Sequence, residues 1–228
     1  MKRVKQLAAV PTPPTPPKGT ERPIPTATQV NAGDVLEHRS SEASFDDHLE
    51  TRWRWPSELH WSPVEVCEQA ARLLNPTAAE RVLDVGSGVG KFCIIGASVT
   101  PGTYVGVERR PRLVEQAWAA AKSAGAERVA FICADAFDID WAVYDCLYLY
   151  NPFEEATFAP PYLIDAHLAL GDEVRAFNVA ETSRRLSQLR PGTRVATYHG
   201  FGGKMPPGFK RSFKGWAGSG ELEVWIRR

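Results

Sequence analysis

The chain has 228 residues, 43% of them hydrophobic, with 27 basic and 27 acidic side chains and hence a formal net charge of zero. That length predicts one sizeable core plus an extension, and the neutral balance supplies no global field to draw the protein to nucleic acid or an anionic membrane. The longest apolar run, Phe92 to Val99, is far short of the ~20 residues a membrane-spanning helix needs, so a soluble cytoplasmic protein is expected.

Residues 1–42 hold seven of the 18 prolines between Pro11 and Pro25 and little that could build a core. They read as a disordered, partly polyproline-II arm, either a plain solvated leader or a docking segment for a proline-recognising partner. The basic runs (Lys2, Arg3, Lys5; Lys204, Lys210, Arg211, Lys214) and the acid-rich stretch from Asp34 to Glu50 read as solvated faces. Residues 43–80 form an aromatic entry segment, with Trp53, Trp55 and Trp61 gathered around His60, followed by a helix. Ser62 is the expected N-cap and Pro63 the first helical residue, with Val64, Cys67, Ala70, Ala71 and Leu74 along one face. Trp61 then serves either as a hydrophobic staple for that helix or as part of a site.

Residues 81–228 alternate strand and helix. Arg81 to Val85 reads as a buried strand, Gly86-Ser87-Gly88-Val89-Gly90 as a glycine-rich turn, and Lys91 to Val99 as a buried helix. Thr103 to Val107 gives a second strand ending in Glu108, and Pro111 to Ala124 an amphipathic helix. Val129 to Cys133 is a third strand ending at Ala134-Asp135-Ala136, and Tyr144 to Tyr150 a fourth ending at Asn151-Pro152-Phe153. Pro160 to Leu189 is helical with a break near Gly171-Asp172; Thr193 to His199 is a fifth strand; Phe209 to Phe213 and Leu222 to Ile226 alternate like a hairpin. Such alternation predicts an α/β fold with a doubly wound, mainly parallel Rossmann-like sheet and an antiparallel C-terminal strand pair. Cys67, Cys93, Cys133 and Cys146 include no C-x-x-C pair and sit in apolar patterns, which predicts buried, reduced thiols.

The strand ends carry the chemistry. Gly86 and Gly88 allow the turn to approach a ligand closely, and Gly90 lets the next helix pack on the sheet. Asp84 beside the turn repels a pyrophosphate but suits a cationic amino group, which favours S-adenosylmethionine over a dinucleotide. Glu108 follows Asp84 by 24 positions, near the ~20-residue offset at which an acid reaches a ribose hydroxyl pair. Asp135 is placed to accept from an adenine amino group. Asn151 reads equally as a helix N-cap or as a site residue. No metal-ligand spacing and no nucleophile elbow is present in the sequence.

The succession Asp84-Val85-Gly86-Ser87-Gly88-Val89-Gly90, Val107-Glu108, Ala134-Asp135-Ala136 and Tyr150-Asn151-Pro152-Phe153 resembles the class I S-adenosylmethionine-dependent methyltransferases, over about Trp61 to Arg228. Within them the glycine turn, the Asn-Pro-Phe strand end and Gly215-Trp216-Ala217-Gly218 look most like the non-SET histone-lysine methyltransferases and their bacterial relatives. The resemblance implies a seven-stranded methyltransferase sheet and a cofactor site of Asp84, Gly86, Ser87, Gly88, Gly90, Glu108, Asp135, Ala136 and Asn151. It also places Trp61 and Ser62 over the cofactor's methionine end, and Asn151, Pro152 and Phe153 at the acceptor. An amine, with a protein lysine side chain first, is the implied methyl acceptor.

The pattern departs from the Asn-Pro-Pro-Tyr/Phe amino-group methyltransferases in having Phe153 where a second proline stands, so an amide or base-amine acceptor does not carry over. Tyr148, Tyr150, Phe153 and Trp216 are expected to line the acceptor's mouth, and desolvation there would lower an amine's pKa. His60, in the entry segment, and His199, ending the fifth strand, read either as surface or hydrogen-bonded structural histidines or as general bases. Two other readings stay open: a catalytically silent cofactor-binding scaffold acting through its arm, and an NAD-dependent oxidoreductase, whose G-x-G-x-x-G fingerprint this turn misses by one position.

Overall fold

The computed structural model describes residues 42–54, 60–152, 164 and 171–228. The arm expected over 1–42 therefore lies outside the described residues apart from Glu42, as do Trp55, Phe153 and most of the segment preceding Gly171.

Five parallel strands and an antiparallel pair make one seven-stranded sheet in the order β3-β2-β1-β4-β5-β7-β6. They are β1 (Arg81–Val85), β2 (Thr103–Glu108), β3 (Val129–Cys133), β4 (Cys146–Tyr150), β5 (Arg194–Tyr198), β6 (Phe209–Ala217) and β7 (Gly220–Arg227). β7 runs antiparallel between β5 and β6. The order reverses between β1 and β4, and in an open parallel sheet the crevice at such a switch point, beyond the carboxyl ends of the strands, is where ligands bind.

Side-chain alternation divides the core cleanly. Val82, Tyr104, Cys146, Tyr148, Ala196 and Tyr198 join one cluster, with the apolar faces of α1 (Val64–Leu74), α2 (Lys91–Val99) and α3 (Pro111–Ser123). Leu83, Val85, Val105, Val107, Leu147, Leu149 and Val195 join the other, with Trp141, Tyr144, Phe201 and Leu186 of α4 (Asp172–Ser187). Helices thus cover both faces, and strand after strand reads as a continuous apolar run because both of its sides are buried.

Several boundaries differ from the sequence expectation. Ser62 does not cap α1; its Oγ lies 2.7 Å from the Tyr148 hydroxyl, and the N–H of Val64 is taken instead by the Glu42 carboxylate. β4 starts at Cys146 rather than Tyr144, because Asp140 accepts from the N–H of Ala142 and starts a short 3-10 turn over Trp141–Val143. The hairpin is longer than its alternating ends, with an irregularity between Arg211 and Phe213. Cys133 is exposed while Cys67, Cys93 and Cys146 are buried; it ends β3, an edge strand with no outer strand beside it among the described residues.

Candidate functional site

The turn after β1 is held by the neighbouring strand. The N–H groups of Gly86 and Ser87 both donate to the Val107 carbonyl at 3.0 Å, and that of Gly90 to the Ser87 carbonyl at 2.8 Å. Gly86, Gly88 and Gly90 have φ of +78°, +53° and +79°, a region open to glycine at little cost. Their free faces meet different things. A Cβ on Gly90 would strike Phe131 and Ala117, so this glycine allows α2 to pack on the sheet, as expected. A Cβ on Gly88 would strike the Trp61 indole, so the bare face at 88 accommodates the chain's own tryptophan. Gly86 is exposed and, among the described residues, its free face meets only Pro152, at an ordinary 3.5 Å.

Asp84 and Glu108 project to the same face of the sheet, 4% and 5% exposed. Burial pushes the Asp84 carboxyl up to about 7; the Cys93 thiol, 3.6 Å from Oδ2, opposes that shift and the Glu108 charge adds to it. Glu108 accepts from the N–H of Gly88 at 3.2 Å and from that of Arg110 at 3.0 Å, and its Oε1 lies 3.5 Å from the Arg110 guanidinium. Glycine at 106, opposite Asp84 in the pairing with β1, leaves room for Ser87, whose buried Oγ has no hydrogen-bond partner among the described residues.

At the end of β3, Asp135 is exposed and Oδ1 accepts from the N–H of Phe137 at 2.8 Å, capping the short turn Ala136–Asp138; the Ala136 carbonyl accepts from the Trp141 indole at 2.9 Å. At the end of β4, Asn151 has φ +33° and donates its N–H to the Gly200 carbonyl at 3.1 Å. Tyr150 and Tyr198, paired in register, lie with ring centroids 5.1 Å apart, and His199 stands 4.3 Å from Tyr198 and 6.0 Å from Tyr150. Trp216 is 73% exposed on β6, which does not suit the lining role expected of it.

The entry segment covers the turn from the other side. Trp61 is buried and donates Nε1 to the Trp53 carbonyl at 3.3 Å. His60, Trp61, Ser62, Asp84, Gly86, Lys91, Tyr148 and Tyr150 border a small cavity of about 30 Å³. Lys91, first residue of α2 and 2% exposed, pairs with Glu42 and lies over the Phe45 ring. Sequence reading missed Glu42 and the role of Lys91; a lysine directly after a buried glycine turn was the available signal. Among the described residues no cluster of potential metal ligands occurs.

The donor set fits an adenosyl-amino-acid cofactor. Gly86 presents bare backbone beside the strand ends, Asp84 is a buried carboxylate whose hydrogen-bonding neighbour is a thiol, and Glu108 closes the next strand on the same face. Asp84 suits an ammonium and Glu108 a ribose diol.

Residues 76–170 match the family model described as a methyltransferase domain. A curated relative, the 23S rRNA uracil-C5-methyltransferase RlmD of Shewanella piezotolerans, is 43% identical over 67 residues, which are 29% of this chain and 15% of that protein. Among solved structures, an RNA methyltransferase from Salinibacter ruber in complex with S-adenosylhomocysteine aligns at TM-score 0.55 and 23% identity, over 73% of this chain and 92% of that one. TrmN from Thermus thermophilus aligns at TM-score 0.54 and 19% identity, over 71% of this chain and 48% of that one. A point variant of MtNAS in complex with S-adenosylmethionine aligns at TM-score 0.53 and 17% identity, over 84% of this chain and 73% of that one. At these identities the structures share the fold. The seven-stranded sheet with its antiparallel final pair is the fold this chain shares with those structures.

Proposed function

We propose that this chain, carrying a methyltransferase domain on the class I fold, binds S-adenosylmethionine at the β1 turn and directs its methyl group to an amine, a protein lysine side chain first among them. The observation that carries the reading is the joint placement of Asp84, Gly86 and Glu108 on one face at the switch point of the sheet. Asp84 and Glu108 would hold the cofactor's ammonium and ribose hydroxyls. When bound, S-adenosylmethionine supplies an electrophilic methyl group on a sulfonium.

The chain's own part in transfer is positioning. In-line displacement asks for an aligned lone pair more than for a strong base. Asn151 and Pro152 sit at the end of β4 next to Gly86, where the Asn151 amide and the Pro152 carbonyl would orient an acceptor nitrogen. Tyr150, half-buried against the core ring of Tyr198, supplies aromatic surface that attracts an alkylammonium. Phe153, expected beside them, lies outside the described residues.

A second reading, methylation of RNA, is favoured by the names of two relatives, RlmD and the Salinibacter RNA methyltransferase. Against it, the chain has no net positive charge, and Arg211 and Lys214 on β6 are each paired with acids of β7. The deciding experiment is calorimetry of the full chain with S-adenosylmethionine, S-adenosylhomocysteine and NAD, followed by tritium transfer to a lysine-rich peptide and to RNA. Micromolar binding of the two adenosyl-sulfur ligands and label on the peptide support the proposal. Label on RNA alone moves the acceptor to the second reading; binding without transfer leaves a scaffold; NAD binding overturns the cofactor.

A further inference from the structure

We propose that His199 is the proton acceptor for the substrate nitrogen, taking from an alkylammonium the proton that must leave before that nitrogen can receive a methyl group; this rests on the methyltransferase reading above. Among the described residues three non-glycines have positive φ: Asn75, Asn151 and His199. Asn75 is explained as the left-handed C-cap of α1. Asn151 and His199 instead follow Tyr150 and Tyr198, the last in-register pair of β4 and β5, and so stand side by side where two parallel strands end. Their backbones are joined by the Asn151 N–H to the Gly200 carbonyl at 3.1 Å.

A left-handed histidine at φ +54° carries roughly 1–2 kcal/mol of backbone strain, and such strain persists where the surroundings fix it, often at functional sites. Here the surroundings are specific. The His199 N–H donates to the Glu221 carbonyl at 3.0 Å. The imidazole lies over Gly220, where any Cβ would collide with it, and it meets Tyr198 edge-on at 4.3 Å. The left-handed turn thus places the ring beside Tyr150, at the strand end that bears Asn151, while His199 stays exposed, which gives the proton a way out to water. The titratable groups around it are Tyr150 on β4, Tyr198 on β5 and Glu221 on β7, the last paired through its carboxylate with Lys214 at 2.5 Å. His60 shares the small cavity with Asp84 and Lys91 instead.

The neutral imidazole takes H⁺ from R–NH₃⁺, giving R–NH₂ and imidazolium. The nitrogen lone pair forms the N–CH₃ bond as the S–CH₃ bond breaks, and the electrons of that bond remain on sulfur, leaving a neutral thioether and R–NH₂CH₃⁺. The imidazolium returns its proton to water, one per methyl group transferred.

The test uses the full chain, tritiated S-adenosylmethionine and a polylysine peptide, comparing the wild type with His199→Gln and with His199→Gly, which tolerates the left-handed backbone. Expected are cofactor affinities close to that of wild type, turnover lower by on the order of 100-fold in both variants, and loss of the acid limb of the wild-type pH–rate profile. Equal turnover in His199→Gln, or a fall that leaves the shape of the profile unchanged, overturns the proposal. Wild-type protein that binds the cofactor yet leaves the peptide unlabelled overturns it too, with the methyltransferase reading intact; wild type that binds no cofactor overturns both.

Discussion

The indole of Trp61 lies against the bare Cα of Gly88: a Cβ built at residue 88 would come 2.5 Å from Cζ3 of the ring. Glycine is therefore required there by the protein's own packing as well as by its φ of +53°. Gly88→Ala should lower the melting temperature, and in a Trp61→Ala background its added cost should shrink, with a coupling in the ~0.5–3 kcal/mol range seen for contacting residues. Gly86→Ala has room, so backbone strain of ~1–2 kcal/mol is its whole expected cost. A thermal double-mutant cycle measures this; additive effects at 61 and 88 would count against the contact.

Asp84 is raised from 3.8 to about 7 by burial. Between those values the folded state holds a proton that the unfolded chain has released, so this group's contribution to stability is greatest below the unfolded value and declines as pH rises toward the folded one. The loss is on the order of 4 kcal/mol. Asp84→Asn should flatten the decline and make the ligand-free protein more stable at pH 8, while Asp84→Ala or Asp84→Asn abolishes cofactor binding. Denaturant titrations at pH 5 and pH 8 report the first effect and calorimetry the second; a variant with wild-type affinity removes Asp84 from the site.

Lys91 is buried while its partner Glu42 is 35% exposed in its side chain, so the two should not respond alike. Glu42→Ala strands a buried ammonium and also frees the Val64 N–H, for a cost of about 3–5 kcal/mol by analogy with broken buried pairs. Replacing both, as Glu42→Ala with Lys91→Met, should recover part of it. Urea unfolding distinguishes the cases: a double variant no more stable than Glu42→Ala alone contradicts this account.

Glu108 accepts two backbone N–H groups, so Glu108→Ala should cost stability by about 1–3 kcal/mol per unsatisfied donor and weaken adenosyl ligands. Glu108→Gln, which keeps an acceptor, should retain more of both. Equal losses in the two variants would mean that the carboxylate's charge, not its hydrogen bonds, matters.

Thiol labelling of the native protein should modify Cys133 and spare Cys67, Cys93 and Cys146, whose burial raises their thiol pKa values and hides the sulfur. Mass spectrometry should find one adduct on the folded chain and four after unfolding.

Local pattern alone located β1 and α2 to the residue, because a buried parallel strand is a short apolar run and the helix that follows it is apolar on nearly every side. The same pattern put acids at neighbouring strand ends, and Asp84 and Glu108 are indeed buried on one face of the sheet. What it could not decide is what each bare or polar face would meet. Ser62 looked like a cap, yet its hydroxyl partner, Tyr148, is 86 positions away. Gly88 looked ligand-facing, yet Trp61 covers it. Cys133 looked buried, yet the sheet order leaves its strand at an edge. The fold followed from spacing along the chain, which the sequence contains in full. The strained pairing of Asn151 with His199, the Glu42–Lys91 clasp and the exposure of the edge strand were decided by tertiary structure, since they depend on which distant segments the winding of the sheet brings side by side.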